Sequence, residues 1–303
     1  MKDLSTYIFD KIMQEDCSSL PVGLKGGKVG VCLFLAPYLK KRRVHKGKKL
    51  FSALFSDVLK ELPGLSLGLS DGMLGVGWMI RYLSNNEILA LDENTQYLYT
   101  AIANHYMENS ASFPLLLNKE DRLFSMGIYM LQLHVEESLP SRYMVDELLI
   151  KLIDECERLM KCNIGYLYSF KDMPLSVLHS ILYYLLRVDE MGICPTQTST
   201  LIEYSSELYS QVQKQTPVDD FVFRFLQSSP TNLPNMCEEK LFHFMSEIGF
   251  YSMLYNLPSL FTSTFQQYCD RYPDYEQRIK KKIGSNCIDT TTLCGWGYGL
   301  LNL

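Results

Sequence analysis

Apolar residues recur at helical spacing along most of this chain. Intervals of three and four residues between apolar positions predict helices over the segments 50–62, 94–109, 142–160 and 198–214. Two short runs of apolar and aromatic residues, 164–168 and 221–225, predict short strands. The second run lies in a segment containing Pro and Ser, 216–234, which is predicted to be an insertion. The pattern therefore predicts a mostly helical protein.

A motif of small residues recurs between the helical segments. Segments 27–35 and 72–80 both read Gly-x-x-Gly followed by apolar residues, and their first glycines are Gly27 and Gly72. Four weaker copies follow, so that the second small residue of the motif occurs at Gly30, Gly75, Gly127, Ser180, Gly249 and Gly299. A small residue at the start of a helix lets the backbone come close to its neighbour. The regular recurrence predicts helix pairs that close into a ring.

These motifs resemble those of the lanthionine synthetase C-like family. The segment 67–78, Leu-Gly-Leu-Ser-Asp-Gly-Met-Leu-Gly-Val-Gly-Trp, carries most of the resemblance, followed by 23–35. The resemblance implies an all-α fold, an α/α toroid in which a double-layered helical barrel forms one domain over 1–303. Only about six helix pairs are found where the family has seven. An incomplete ring would expose the flanks of its terminal pairs, so a dimer or a partner protein is expected to cover them.

Cyclases of that family hold zinc through three side chains, of which this chain matches one. Their Trp-Cys-Tyr-Gly motif aligns with 243–246, which puts Phe244 in the position of a cysteine ligand. Their Cys-His-Gly motif aligns with 294–296, where Cys294 matches a ligand and Gly295 replaces the histidine. No cofactor is therefore expected. A rearranged zinc site using the adjacent His243 would need a side chain turned by about 100° around the helix.

The resemblance and the lost ligands together imply a degenerate, catalytically inactive relative of these cyclases. We expect it to bind a peptide during the maturation of a ribosomally synthesised peptide, without zinc-dependent cyclisation. A fold shared with enzymes does not by itself establish a function, so other functions stay open.

The first alternative is a metal-free enzyme on the same scaffold. Asp71, Asp121 and Glu247 lie near predicted starts of inner helices, and carboxylates that converge on a central cleft would suit a glycosidase or another hydrolase. Acidic residues near helix N-termini are also favoured by capping and by the helix dipole alone. His179, in the apolar run 175–186, is either a further catalytic candidate or a hydrogen-bonded core histidine.

The second alternative is a non-catalytic interaction protein, and it rests on charge. The net charge is −5, yet segment 40–49 contains seven basic residues, Lys40, Lys41, Arg42, Arg43, Lys46, Lys48 and Lys49, with His45 among them. Such a run is either a solvated loop or a patch for an anionic partner, such as an acidic peptide or a membrane surface. Nucleic acid is not expected, because the patch lacks the interleaved aromatic residues of a single-strand binder.

The remaining composition bears on the compartment. Nine cysteines without a Cys-x-x-Cys pair predict reduced thiols. No secretory signal is visible, and the most apolar run, 175–186, is too short to span a bilayer. We therefore expect a cytoplasmic protein that does not insert into a membrane.

Overall fold

The structure is a computed structural model, and it describes residues 2–66, 68–90, 93, 97, 100–102, 104, 122–134, 142–161, 174–212, 216–284 and 288–303. Within these ranges the regular structure is helical and contains no strand. The α-helices are α1 (Lys2–Ile12), α2 (Lys28–Arg42), α3 (Lys48–Glu61), α4 (Met73–Asn85), α5 (Arg122–His134), α6 (Arg142–Lys161), α7 (Leu175–Glu190), α8 (Pro195–Tyr209), α9 (Pro217–Leu226), α10 (Glu238–Leu254), α11 (Pro258–Arg271), α12 (Tyr275–Gly284) and α13 (Thr290–Leu301). No described helix is long and apolar enough to cross a membrane.

The prediction of an all-α protein is confirmed for the part of the chain that the structure describes. The predicted helices 50–62, 142–160 and 198–214 correspond to α3, α6 and α8. Within the predicted helix 94–109, the structure describes residues 97, 100–102 and 104, and all of them are helical.

The predicted strand 221–225 is wrong, because these residues lie inside α9. Thr216 caps this helix by accepting a hydrogen bond from the amide of Asp219, and Pro217 occupies the first turn, where its missing N–H costs nothing. The segment that was predicted to be an insertion therefore contains a capped helix. The other predicted strand, 164–168, lies outside the described residues.

The chain forms two compact units, of which the first contains 1–66, 70–90 and 230–303 and the second contains 67–69 and 91–229. The single domain over 1–303 stays a prediction.

In the first unit, four helices that carry the motif lie side by side. Helix α13 packs between α2 and α10, and α4 packs on the other side of α2. Residues 28–36 of α2 and 292–300 of α13 are all buried, as expected for helices that are surrounded by others. Helices α1, α3 and α11 pack against this row, α1 on α13, α3 on α2 and α11 on α10. The last motif of the chain is therefore the neighbour of the first.

The first two copies of the motif share one backbone geometry. Gly27 and Gly72 are extended N-cap residues of α2 and α4. In both copies the first helical amide donates to the carbonyl seven residues earlier, in the pairs Lys28–Pro21 (2.9 Å) and Met73–Ser66 (2.8 Å). The similarity that the sequence shows between these two segments is thus also a similarity of structure.

Helices α10 and α13 approach so closely that glycine is required on both. A Cβ atom on Gly249 would lie 2.0 Å from the carbonyl oxygen of Gly295. A Cβ atom on Gly295 would lie 2.3 Å from the carbonyl oxygen of Ser246 and 2.2 Å from its Oγ. The close approach that the small residues predicted is therefore present between these two helices.

The second unit is built around α7, which contacts α5, α6, α8 and α9. Gly127 of α5 faces the ring of Tyr184 on α7, and a Cβ atom there would lie 2.9 Å from Cδ2 of that ring. The Tyr184 hydroxyl donates to the carbonyl of Leu149 on α6, at 2.7 Å. The third and fourth copies of the motif are therefore neighbours in this unit.

We predict that Gly249→Ala and Gly295→Ala each lower the free energy of unfolding by about 1–3 kcal/mol, because the added methyl group meets backbone atoms that cannot rotate away. Replacing glycine by alanine inside a helix normally stabilises a protein by up to about 1 kcal/mol. A loss of stability in these two variants would therefore point to the close contact between the helices. Gly64→Ala is the control, because nothing lies within 4 Å of a Cβ atom there. Urea unfolding measures all three variants. Equal stability of Gly295→Ala and Gly64→Ala would contradict the close crossing.

Candidate functional site

The residues aligned with the family's zinc motifs lie in the first unit, on α10 and α13. A cavity of about 10 Å³ is found there. Its walls come from the loop before α2, from α10 and from α13, and include Lys25, Glu247, Phe250, Cys294 and Tyr298. A space of this size is at the lower limit for one water molecule. The cavity itself therefore has no room for a substrate.

Cys294 is a neutral buried thiol. Its side chain is 2 % exposed, and burial raises its pKa far above the ordinary range for a thiol, although a hydrogen bond with Tyr298 acts in the opposite direction. The Tyr298 hydroxyl itself donates to the carbonyl of Gly30 at 2.6 Å. Because the thiolate is the form that attacks electrophiles, this burial makes Cys294 a poor nucleophile.

The positions of the other two family ligands are filled by packing. Phe244 is 3 % exposed and belongs to the core. Gly295 lies against Ser246, whose Oγ donates across the crossing to the carbonyl of Thr292 at 3.0 Å. A histidine side chain at position 295 would overlap the Ser246 backbone. The residues present therefore do not fit a zinc ion held as in the cyclases.

His243 does not supply the missing ligand in this structure. It is exposed, whereas Cys294 is buried, and its Nδ1 lies 3.3 Å from Oγ1 of Thr292. Among the residues that the structure describes, no group of three or more His, Cys, Asp or Glu side chains could hold a metal ion.

The candidate acids are placed differently from one another. Glu247 lies inside α10 and not near the start of a helix, so that part of the prediction is wrong. The Glu247 carboxylate pairs with the ammonium of Lys25 at 2.5 Å, and that ammonium lies 5.6 Å from the centre of the Phe250 ring. Asp71 is exposed, and Asp121 lies outside the described residues. The convergence of these carboxylates on one cleft, and their catalytic role, stay predictions.

Sequence reasoning missed Lys25 as the partner of Glu247. The two residues are 222 positions apart in the chain. The only signal available was that both precede small-residue motifs, Lys25 before Gly27 and Glu247 before Gly249.

His179 lies in the second unit and is completely buried, at 0 % exposed. Its Nε2 lies 3.2 Å from Oδ1 of Asp219, which joins α7 to α9. Burial lowers the pKa of His179, while the hydrogen bond and the charge of Asp219 oppose this shift. The environment is that of a hydrogen-bonded core histidine, the alternative that the sequence left open.

No family model, curated protein or solved structure matches this chain. The resemblance to the lanthionine synthetase C-like family therefore depends on the motifs of this chain alone.

We predict that His179 makes the stability of the protein depend on pH below neutrality. Because its folded pKa lies below the unfolded value near 6.5, lowering the pH protonates the unfolded chain first. The contribution of neutral His179 to the free energy of unfolding should therefore be complete above about pH 6.5. Below that pH the free energy of unfolding should fall by up to about 1.4 kcal/mol per pH unit. Urea unfolding at several pH values measures the slope, which His179→Gln should reduce. The exposed His243 provides the control His243→Gln, and equal slopes in the two variants would contradict the assignment.

Proposed function

We propose that this chain is a non-catalytic relative of the lanthionine cyclases, which binds a peptide during the maturation of a ribosomally synthesised peptide. The observation that carries the proposal is the crossing at Gly295. The chain keeps one residue that matches a zinc ligand, Cys294, and fills the space of a second ligand with the backbone of Ser246. Such an arrangement suits a protein that retains the fold of the cyclases and does not catalyse their reaction.

The neighbours of the motif helices support a toroidal arrangement. In a ring of six copies, each copy lies beside the next and the sixth lies beside the first. In the first unit, the helix of copy 1 (α2) lies beside the helices of copy 2 (α4) and copy 6 (α13). The helix of copy 5 (α10) lies beside that of copy 6. The second unit contains the pair 3–4, as α5–α7.

The chemistry of cyclisation is what this chain would lack. In a zinc-dependent cyclase the metal lowers the pKa of a peptide thiol and positions the thiolate for addition to a dehydrated residue. Here the one matching residue is a neutral thiol, and neither Phe244 nor Gly295 can bind a metal. What remains beside the small cavity is Lys25 paired with Glu247, next to the ring of Phe250. Half-exposed polar and aromatic groups of this kind are suited to contact a peptide.

The proposal predicts that protein purified without chelator contains no stoichiometric zinc, and that it does not accelerate thioether formation. Metal content is measured by mass spectrometry on the wild-type chain and on Cys294→Ala. A peptide that carries one cysteine and one dehydroalanine serves as substrate, with and without added zinc. One zinc per chain that is lost in Cys294→Ala, or faster cyclisation than in buffer, would refute the proposal.

A further inference from the structure

The structure divides the basic segment 40–49 into residues that serve the fold and residues that do not. Four cations are bound within the first unit. Their contacts are Lys40 Nζ to the carbonyls of Asn86 (2.8 Å) and Glu87 (3.0 Å), Lys41 Nζ to the carbonyl of Leu301 (2.6 Å), Arg42 Nη2 to Oγ of Ser5 (2.9 Å), and Lys46 Nζ to Asp10 Oδ1 (3.4 Å). Lys40 and Lys41 thereby hold other segments of the unit against the end of α2.

The other basic residues of the segment have no such role. Arg43, His45, Lys48 and Lys49 are all exposed. Their side chains form no hydrogen bond or ion pair with any residue that the structure describes. Arg43, Lys48 and Lys49 are charged, and exposed cations without a protein partner are available to an anion from solution. The imidazole of His45 can add a hydrogen bond.

Three of these residues surround one groove. Arg43, His45 and Lys48 line a cavity of about 500 Å³, and Lys49 does not. The volume lies within the roughly 300–1,000 Å³ that is usual for small-molecule sites. The unpartnered cations are therefore concentrated on a space that could hold a ligand.

Part of the lining of the groove is apolar. It is formed by Leu39 at the end of α2, by Phe51 in α3 and by Ile88, which follows α4. Leu39 is only 8 % exposed. An apolar chain on a small molecule would be sheltered from water against these side chains.

The electrostatics of the groove favour a negative ligand. Among the residues that the structure describes, no Asp or Glu side chain lines the groove. Helix α3 begins at Lys48, and its N-cap, Gly47, offers no side chain to its first amides. The positive end of that helix adds to the field of the cations.

We propose that this groove binds a small anionic amphiphile, in which a carboxylate or phosphate group is joined to an apolar chain. The anionic group contacts Arg43, His45 and Lys48, and the chain packs on Leu39, Phe51 and Ile88. The inference rests on a surface apart from the Cys294 region and does not depend on the proposed function.

Isothermal titration calorimetry with three probes tests the ligand class. The probes are decanoate, decyl phosphate and decyltrimethylammonium, each kept below its micelle concentration. The two anions should bind one molecule per chain, more weakly as salt is added, and the cation should not bind. The tighter of the two anions identifies the head group. Equal binding of all three probes, or no binding of either anion, would overturn the proposal.

Two matched pairs of variants test the place of binding. Lys48→Glu should weaken binding by about 10-fold or more, which corresponds to about 1.4 kcal/mol, whereas Lys49→Glu makes the same charge change outside the groove and should have a small effect. Phe51→Ala should weaken binding by about 10-fold as well, since it removes the apolar wall. Phe55→Ala is its control, because Phe55 stacks on Phe51 (ring centres 5.7 Å apart) and does not line the groove.

Ser52→Phe fills the groove without changing any charge, because Ser52 is exposed and belongs to its lining. It should abolish binding, and circular dichroism checks that each variant is folded. Equal losses in Lys48→Glu and Lys49→Glu, together with equal reductions in their binding to vesicles of anionic lipid, would show a diffuse basic surface and contradict a site in the groove.

Discussion

The crossing of α10 and α13 is the constraint on which the rest of the first unit depends. It brings two backbones together at Gly249 and Gly295, where even one added carbon atom would collide with a carbonyl oxygen. Just beyond the crossing, Trp296 is completely buried, and its Nε1 donates to the carbonyl of Phe242 at 3.0 Å. The rings of Phe261, Phe265 and Tyr268 surround it at centroid distances of 5.8–6.3 Å. Large aromatic side chains thus fill the space around α13, whereas small residues form its contact with α10.

The same crossing explains why the site that resembles a zinc centre is packed. Position 295 faces a neighbouring backbone, so a ligand side chain would have to displace Ser246. Cys294 is buried in this packed region, where burial raises the pKa of its thiol, and the hydroxyl of its neighbour Tyr298 donates to the carbonyl of Gly30 on α2. Phe244 and Gly295 are therefore part of one packing arrangement, which leaves no space for a histidine side chain at position 295.

Much of the local structure could be predicted from the sequence, because it depends on periodicity and on small residues. The spacing of apolar residues predicted α3, α6 and α8, and the recurring glycines predicted the close approach at Gly249. The prediction failed at 221–225, where aromatic and apolar residues resemble a strand, because the capping residues Thr216 and Pro217 impose a helix. The residues that indicate a helix lie just before the run 221–225, and the side chains within the run did not distinguish a helix from a strand.

Long-range pairings could not be predicted in the same way. Lys25 and Glu247 are 222 positions apart, and Lys41 reaches a carbonyl 260 positions away. Nothing in the basic segment itself distinguishes Lys41, which is engaged by the fold, from Lys48, which is not. The groove also needs Ile88, which comes from a different part of the chain. These features follow from how helices pack, and only the structure shows which charges remain available.

The most direct test of this account is to introduce the zinc ligands of the cyclase motifs that this chain resembles, with the double substitution Phe244→Cys and Gly295→His. Zinc content and urea unfolding are measured together, with Phe244→Cys alone as the control. If the crossing fills the site, the double variant binds no stoichiometric zinc and is less stable than the control, because the imidazole must displace the Ser246 backbone. One tightly bound zinc per chain with the stability of the control retained would show that the space exists, and would contradict the account.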